Sequence, residues 1–290
     1  MSLREPGQVP PNADMPDRGR PPATVEQLAL VSAQGWPALE TQRLGGWLLQ
    51  AADGFTGRAN SVVPAADPGM PLDQALGHVQ AFYARSGLPA RIQVVVGSPL
   101  EDALRSRGWE VLASGKEAYA TSEVRVAPLG ELLARVDGAP AADVRLTSTL
   151  DDAWLAVYGR TTTPAAARHV LAGAEQVALA RIDHPAGRTA DEALADRPGS
   201  TRLVGIGRGV VTGPWLGISA VEVVPSMRRR GLALAIMAAL GRWARDRGAT
   251  WVYLQVGTSN QAARRLYDRL GFRTDHEYRY YVPPFDATTP

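Results

Sequence analysis

Two stretches concentrate the groups that could do chemistry. In "VVPSMRRRGLALAIMAAL", Val223 to Leu240, Arg228, Arg229 and Arg230 stand directly before Gly231, and a long apolar run follows. The pattern predicts a strand that turns into a helix whose first-turn N–H groups have no partner inside the helix. Those donors and the helix dipole converge on one point and favour an anion there. The arginines add positive charge, and Gly231 and Ala233 keep side-chain bulk low enough for a phosphate to approach the main chain. On these residues alone, a helix start with a solvated basic cluster is an equal reading. In "SNQAARRLYDRLGF", Asn260 and Tyr267 lie seven residues apart. That spacing returns a helix to nearly the same face about 10 Å further along its axis, so one ligand could touch both.

Taken together and in this order, the two stretches resemble the GCN5-related N-acetyltransferase superfamily. Its pattern is V-x-P-x-x-R-x-x-G-x-G/A, then N-x-x-A-x-x-L-Y-x-x-L-G-F. Here it reads Val223, Pro225, Arg228, Gly231 and Ala233, then Asn260, Ala263, Leu266, Tyr267, Leu270, Gly271 and Phe272. The resemblance implies acetyl-CoA as cosubstrate, with no metal, and direct attack of a primary amine on the thioester through a tetrahedral intermediate. It also implies that main-chain groups at Val221, Val223 and Val224 hold the pantetheine arm. Amides from Arg229 and Arg230 through Gly231, Leu232, Ala233 and Leu234 would cradle the pyrophosphate. Asn260 and Ala263 would line the arm, and Tyr267 would face the sulfur.

The chemistry then needs a proton removed from an ammonium of pKa near ~10.4 and a proton given to a departing thiolate. Tyr267 suits the second task, and a main-chain N–H beside Val223 can stabilise the oxyanion. Glu222, on the strand before the phosphate loop, is the candidate base; an outward strand glutamate with no role is an equal reading. Family members resembling ribosomal-protein acetyltransferases carry a glutamate where this chain has Gln255, which cannot act as a base at neutral pH.

The elements that must position these residues repeat. Helical spacing is read in "TVEQLALVSAQGW" and "LDQALGHVQAFYARSG", and strands in "GGWLLQAA", "GRANSVVPA" and "RIQVVVG", with a short helix in "LEDALRSRG". The second half gives strand and helix in "DVRLTSTLDDAWLAVYGR" and strands in "EQVALARID", "RLVGIGRGVV" and "WLGISAVEVV". A helix, strand, helix and final strand follow. Val62-Val63-Pro64 answers Val223-Val224-Pro225, and "QVVVGS" answers "LQVGTS". The fold expected is α/β (α+β), with two tandem acetyltransferase-like domains, each a mixed, mostly antiparallel sheet flanked by helices. The first spans 23–135 and the second, binding acetyl-CoA, 136–290, with the boundary where proline, glycine and alanine break the pattern in 126–143.

In the first domain Ala66-Asp67-Pro68-Gly69 replaces the basic loop and Leu104 stands at the tyrosine position, so that domain resembles a degenerate copy. The tandem layout also resembles mycothiol synthase, a narrower reading of the substrate. A non-catalytic acyl-CoA sensor or scaffold is the alternative from another class.

Composition narrows the partners. The chain of 290 residues has 31 Lys plus Arg against 29 Asp plus Glu, and Lys116 is its single lysine, so no basic stripe for nucleic acid is expected. No cysteine is present, and His78, His169, His184 and His276 show no i, i+4 pairing for a metal. Residues 1–22 carry six prolines and no apolar segment, which reads as a disordered tail, and no membrane span is expected. A cytoplasmic monomer or homodimer acting on a small-molecule or peptide amine is the resulting expectation.

Overall fold

The computed structural model describes residues 21–112, 121–139, 142–159, 164–185 and 201–284. In the first half α1 (Val25–Gln34) is followed by β1 (Glu40–Leu44), β2 (Trp47–Ala51), β3 (Val63–Pro64) and α2 (Leu72–Arg85). Then come β4 (Ile92–Val95), α3 (Pro99–Arg105), β5 (Glu110–Val111), β6 (Ser122–Pro128) and α4 (Leu129–Val136). The second half carries β7 (Val144–Thr147), α5 (Asp152–Tyr158), α6 (Pro164–Ala172), β8 (Val177–Pro185), β9 (Thr201–Thr212) and β10 (Trp215–Val223). It closes with α7 (Leu232–Arg245), β11 (Trp251–Gly257), α8 (Gln261–Arg269) and β12 (Arg273–Val282). No helix among the described residues is long and apolar enough to cross a membrane.

Nine strands form one sheet in the order β4-β12-β6-β11-β10-β9-β8-β7, with β5 paired to β12; β1, β2 and β3 form a second, antiparallel sheet. Within the large sheet only β10 and β11 run parallel, as a strand–helix–strand crossover through α7 requires. Strand alternation puts Ala178, Ala180 and Ile182 of β8 under α7, with Ile236 and Leu240, and turns Leu179 to the opposite face under Trp154 of α5. Gly207 lets α7 settle on β9, because a Cβ there would lie 2.4 Å from Ile236 Cγ2.

The two halves exchange strands. β6 inserts between β11 and β12 of the second half, pairing antiparallel with both. The far end of β12 in turn pairs with β4 and β5 of the first half. A division at 135/136 therefore splits the large sheet between the halves, and it falls before the last residue of α4, which packs on α7 through Leu129, Leu132 and Val136. The stretch 126–143, where the boundary was expected, holds the end of β6 and all of α4.

"GRANSVVPA" also differs: only Val63–Pro64 is strand, because Asn60 takes the main-chain groups of the preceding turn onto its side chain. The strands β1, β5 and β6 and the helices α4 and α6 had no reading in the sequence. Residues 1–20 of the expected tail, and 186–200 of the loop expected between β8 and β9, lie outside the described residues.

Candidate functional site

β10 and β11 pair only from Trp215 to Ile218 and from Trp251 to Leu254. Beyond that point they part, and the opening is a cavity of about 310 Å³. Val221 and Glu222, at the end of β10, line it together with Asn260, Ala263 and Tyr267 at and beyond the start of α8. A bulge between Ser219 and Glu222, with Ala220 at φ 53°, turns β10 away from its neighbour.

Main-chain accounting in β10 decides which groups face the opening. Val224 donates its N–H to Val204 O at 3.0 Å and accepts from Met227 N–H at 2.9 Å. The Val224 N–H is thus committed to β9, and its carbonyl already accepts one hydrogen bond. Alternation along the strand then turns the Val223 N–H away from β9 and into the opening.

At the mouth of α7, a short 3₁₀ turn at Pro225–Met227 precedes Arg228, and Arg229 and Gly231 adopt left-handed φ of 64° and 75°. Gly231 is the N-cap and supplies no side-chain hydrogen bond, so the N–H groups of Leu232, Ala233 and Leu234 keep no intrahelical acceptor. Arg229 and Arg230 are exposed beside them. Arg228 is differently employed: its Nε donates to Val223 O at 3.0 Å and ties the loop to the end of β10.

α8 starts at Asn260, whose Oδ1 accepts from Ala263 N–H at 3.1 Å. The cap leaves the side-chain NH₂ at the cavity. One turn and more along the helix, Tyr267 packs against Phe272 with ring centroids 5.7 Å apart. Burial, reinforced by the charge of Glu222, pushes its phenol up to about 12, so it holds its proton at neutral pH. The helix is fixed by β6 of the first half: Arg264 pairs with buried Glu123 at 2.5 Å, and buried Arg125 pairs with Asp268 and donates to Arg264 O.

Glu222 and Tyr267 approach from opposite faces of the sheet. Glu222 also lines a groove with Ala153, Ala156 and Val157 of α5, whereas Tyr267 packs with the cluster under α7. Among the described residues Glu222 has no ion-pair partner. Gln255 is committed: it accepts from Tyr278 OH at 3.0 Å and donates to Ser32 Oγ at 3.3 Å.

The first half contributes side chains that sequence reasoning missed. Thr56 and Arg58, from the loop between β2 and β3, line the same cavity together with Ser122 at the start of β6. Nothing local in their sequence marks them, because the loop arrives from a distant part of the chain. A second cavity, of about 530 Å³, occupies the equivalent opening between β3 and β4. Its charged lining groups include Glu26 and Asp67 and no arginine or lysine. Asp67 Oδ1 accepts from Gly69 N–H at 2.7 Å, and Leu104 is fully buried in the core. In this loop the chain's own carboxylate occupies the Gly69 N–H.

Comparison with known proteins bears on this geometry. The family model described as "Probable histone acetyltransferase Rv0428c C-terminal" matches residues 23–281. The chain is 27% identical over 260 residues to the "Uncharacterized N-acetyltransferase YobR" of Bacillus subtilis, covering 89% of this chain and 98% of that protein. A solved GCN5-related N-acetyltransferase from Kribbella flavida superposes with a TM-score of 0.61 at 18% identity, over 92% of this chain and 98% of the other. A tandem GNAT protein from the clavulanic acid biosynthesis pathway gives 0.57 at 15% identity, over 90% and 89%. These two structures speak for the fold alone. With the parted strands, the uncapped helix and the match along almost the whole chain in view, the protein belongs to the Rv0428c C-terminal acetyltransferase family, within the GCN5-related N-acetyltransferase superfamily.

Proposed function

We propose that the chain transfers an acetyl group from acetyl-CoA to a primary amine on a small molecule or peptide, in the opening between β10 and β11. The observation that carries this reading is one cavity with an unpartnered carboxylate, Glu222, on one side and a protonated phenol, Tyr267, on the other. The residues fit acetyl-CoA on structural grounds, since the N–H groups of Leu232–Leu234 stand unsatisfied where a diphosphate would lie. Acetyl-CoA supplies the activated acetyl group and a thiol as leaving group.

The chain's own residues divide the remaining work. Gly231 and Ala233 leave the main chain accessible, and Arg229 and Arg230 add positive charge. Val221 and Val223 offer main-chain groups to the arm, Ala263 leaves it room, and the Asn260 NH₂ reaches it from the helix cap. Glu222 takes the proton of the incoming ammonium, and the Val223 N–H holds the charge that develops on the carbonyl oxygen. Tyr267 gives its proton to the departing sulfur.

Thiol release with a library of amines tests the transfer, and calorimetry on the intact chain tests the cofactor. Acetyl-CoA binding near one per chain with amine-dependent thiol release is expected. Binding without release for any amine would make the protein an acyl-CoA sensor, and two equivalent sites would refute the self-filled loop at Asp67.

A further inference from the structure

The loop between β2 and β3 is built at a cost that a mere connection does not require. Asp53 and Thr56 both hold left-handed φ, 47° and 59°, without being glycine. Buried Asn60 enforces this shape, accepting from the Ala52 and Gly54 N–H groups and donating to Phe55 O and Thr56 O, all within 3.0 Å. Phe55 is buried beside Tyr158, Thr56 Oγ1 accepts from Trp36 Nε1 at 2.9 Å, and Gly57 lies under the Tyr280 ring. What this rigid turn delivers to the cavity is Arg58.

Arg58 stands with its guanidinium 4.1 Å from the Trp36 ring centroid and is half-buried. It forms no ion pair among the described residues. Arg208, the other guanidinium on Trp36, is by contrast consumed by three carbonyls, those of Leu171, Gly35 and Val170. A half-buried guanidinium keeps its charge and presents a planar fork of donors that matches a carboxylate. The aromatic face beneath fixes its plane without neutralising it. Arg58 thus shares one small cavity with Glu222, a cation and an anion that are not paired with each other.

We propose that Arg58 is a specificity-determining residue, and that the acceptor is a small amine carrying a carboxylate, an amino-acid-like zwitterion. Its ammonium end faces Glu222 and its carboxylate is held by Arg58. The inference rests on the acetyl-transfer reading given above and names its substrate class. The cavity of about 310 Å³ lies at the small end for ligand sites, and in the reading above the pantetheine arm would fill part of it, which suits a small acceptor.

The test uses matched pairs of amines, ω-amino acids of two to six carbons and Nα-acetyl-lysine, each against its carboxamide. With the intact protein and acetyl-CoA, kcat/KM for the acids should exceed that for the amides by tenfold or more, with the difference in KM. In Arg58→Gln that ratio should fall to about one, and Arg58→Lys should restore part of it. Equal use of acid and amide by the parent protein would overturn the proposal whether or not either variant folds. So would a peptide lysine preferred over every free acid, or an Arg58→Gln variant that keeps the parent ratio. If no amine is acetylated, the transfer reading fails by itself. Calorimetry of the acids and amides on the CoA-loaded protein then decides: acid binding lost in Arg58→Gln upholds the anion site, and equal binding of acid and amide sinks it.

Discussion

A phenol that gives a proton to a departing thiolate must keep that proton until the sulfur develops charge. Tyr267 meets the requirement through burial, with the Glu222 carboxylate adding to the effect, and its pKa rises to about 12. Removing the hydroxyl should therefore touch the transition state more than the bound state. Tyr267→Phe is expected to bind acetyl-CoA as the parent does and to lower kcat by about a hundredfold, with the loss at the small end because a thiol of pKa ~8.5 already leaves well. The pH dependence follows the same sign. A raised phenol pKa leaves Tyr267 protonated throughout pH 6–10, so the kcat profile should rise with deprotonation of the amine and show no falling limb from Tyr267. Stopped-flow thiol release on a confirmed acceptor checks both. Parent turnover in the Phe variant would remove Tyr267 from the mechanism, and a falling limb below pH 10 that the variant abolishes would refute the raised phenol pKa. At this scale the sequence was informative wherever one helix or loop carried the group, as for Asn260, Ala263 and Tyr267. It was silent on Thr56 and Arg58, which reach the cavity from the other half of the chain.

The start of α7 and its counterpart before α2 show how one loop geometry is used in two ways. In the second half Arg229 and Gly231 bend the chain through left-handed φ, and the first-turn amides stay open. In the first half Asp67 turns its carboxylate onto the Gly69 N–H and puts a negative charge in the loop. Gly231→Asp should place a negative side chain where a diphosphate meets the main chain. The loss of charge-assisted hydrogen bonds and the added repulsion should weaken acetyl-CoA binding by about tenfold or more. Calorimetry measures the change, with a melt to show that the variant folds, and Asp67→Ala serves as a control expected to leave affinity unchanged. Unaltered affinity in a folded Gly231→Asp protein would refute the cradle. The helix α7 and the strands β8 to β12 were legible because each repeats one apolar face under a thick core. β6 and α4 were not, since Pro128 and Gly130 interrupt the pattern at the point where strand passes directly into helix.

Across the whole molecule, the exchange of β6 and β12 makes each half depend on the other for a strand. No local signal encodes this, because each strand reads the same whichever sheet it joins; only long-range pairing distinguishes them. Buried Arg208 adds a second tie, joining β9 to the ends of α1 and α6 through main-chain carbonyls. Burial pulls its pKa down to about 9, which leaves it charged at neutral pH. Separating the chain into 23–135 and 136–290 would strip β6 from the middle of the second half's sheet. Strands β11 and β12 would lose their shared partner, and the burial of Val124, Val126 and Ala127 would be forfeited. At roughly 1.5–3 kcal/mol for each of the two valines, before any unpaired main-chain group is counted, the loss already reaches the low end of a domain's net stability of about 5–15 kcal/mol. Glu123 would go with it, leaving Arg264 without its carboxylate and α8, with Tyr267, less firmly held. The 136–290 fragment alone is therefore expected to show no cooperative melt and no acetyl-CoA binding, while co-expression with 23–135 should restore both in a one-to-one complex. A fragment that melts cooperatively within a few degrees of the intact chain would show that the second half completes its sheet without β6, and that the first half serves the cleft only through the loop carrying Arg58.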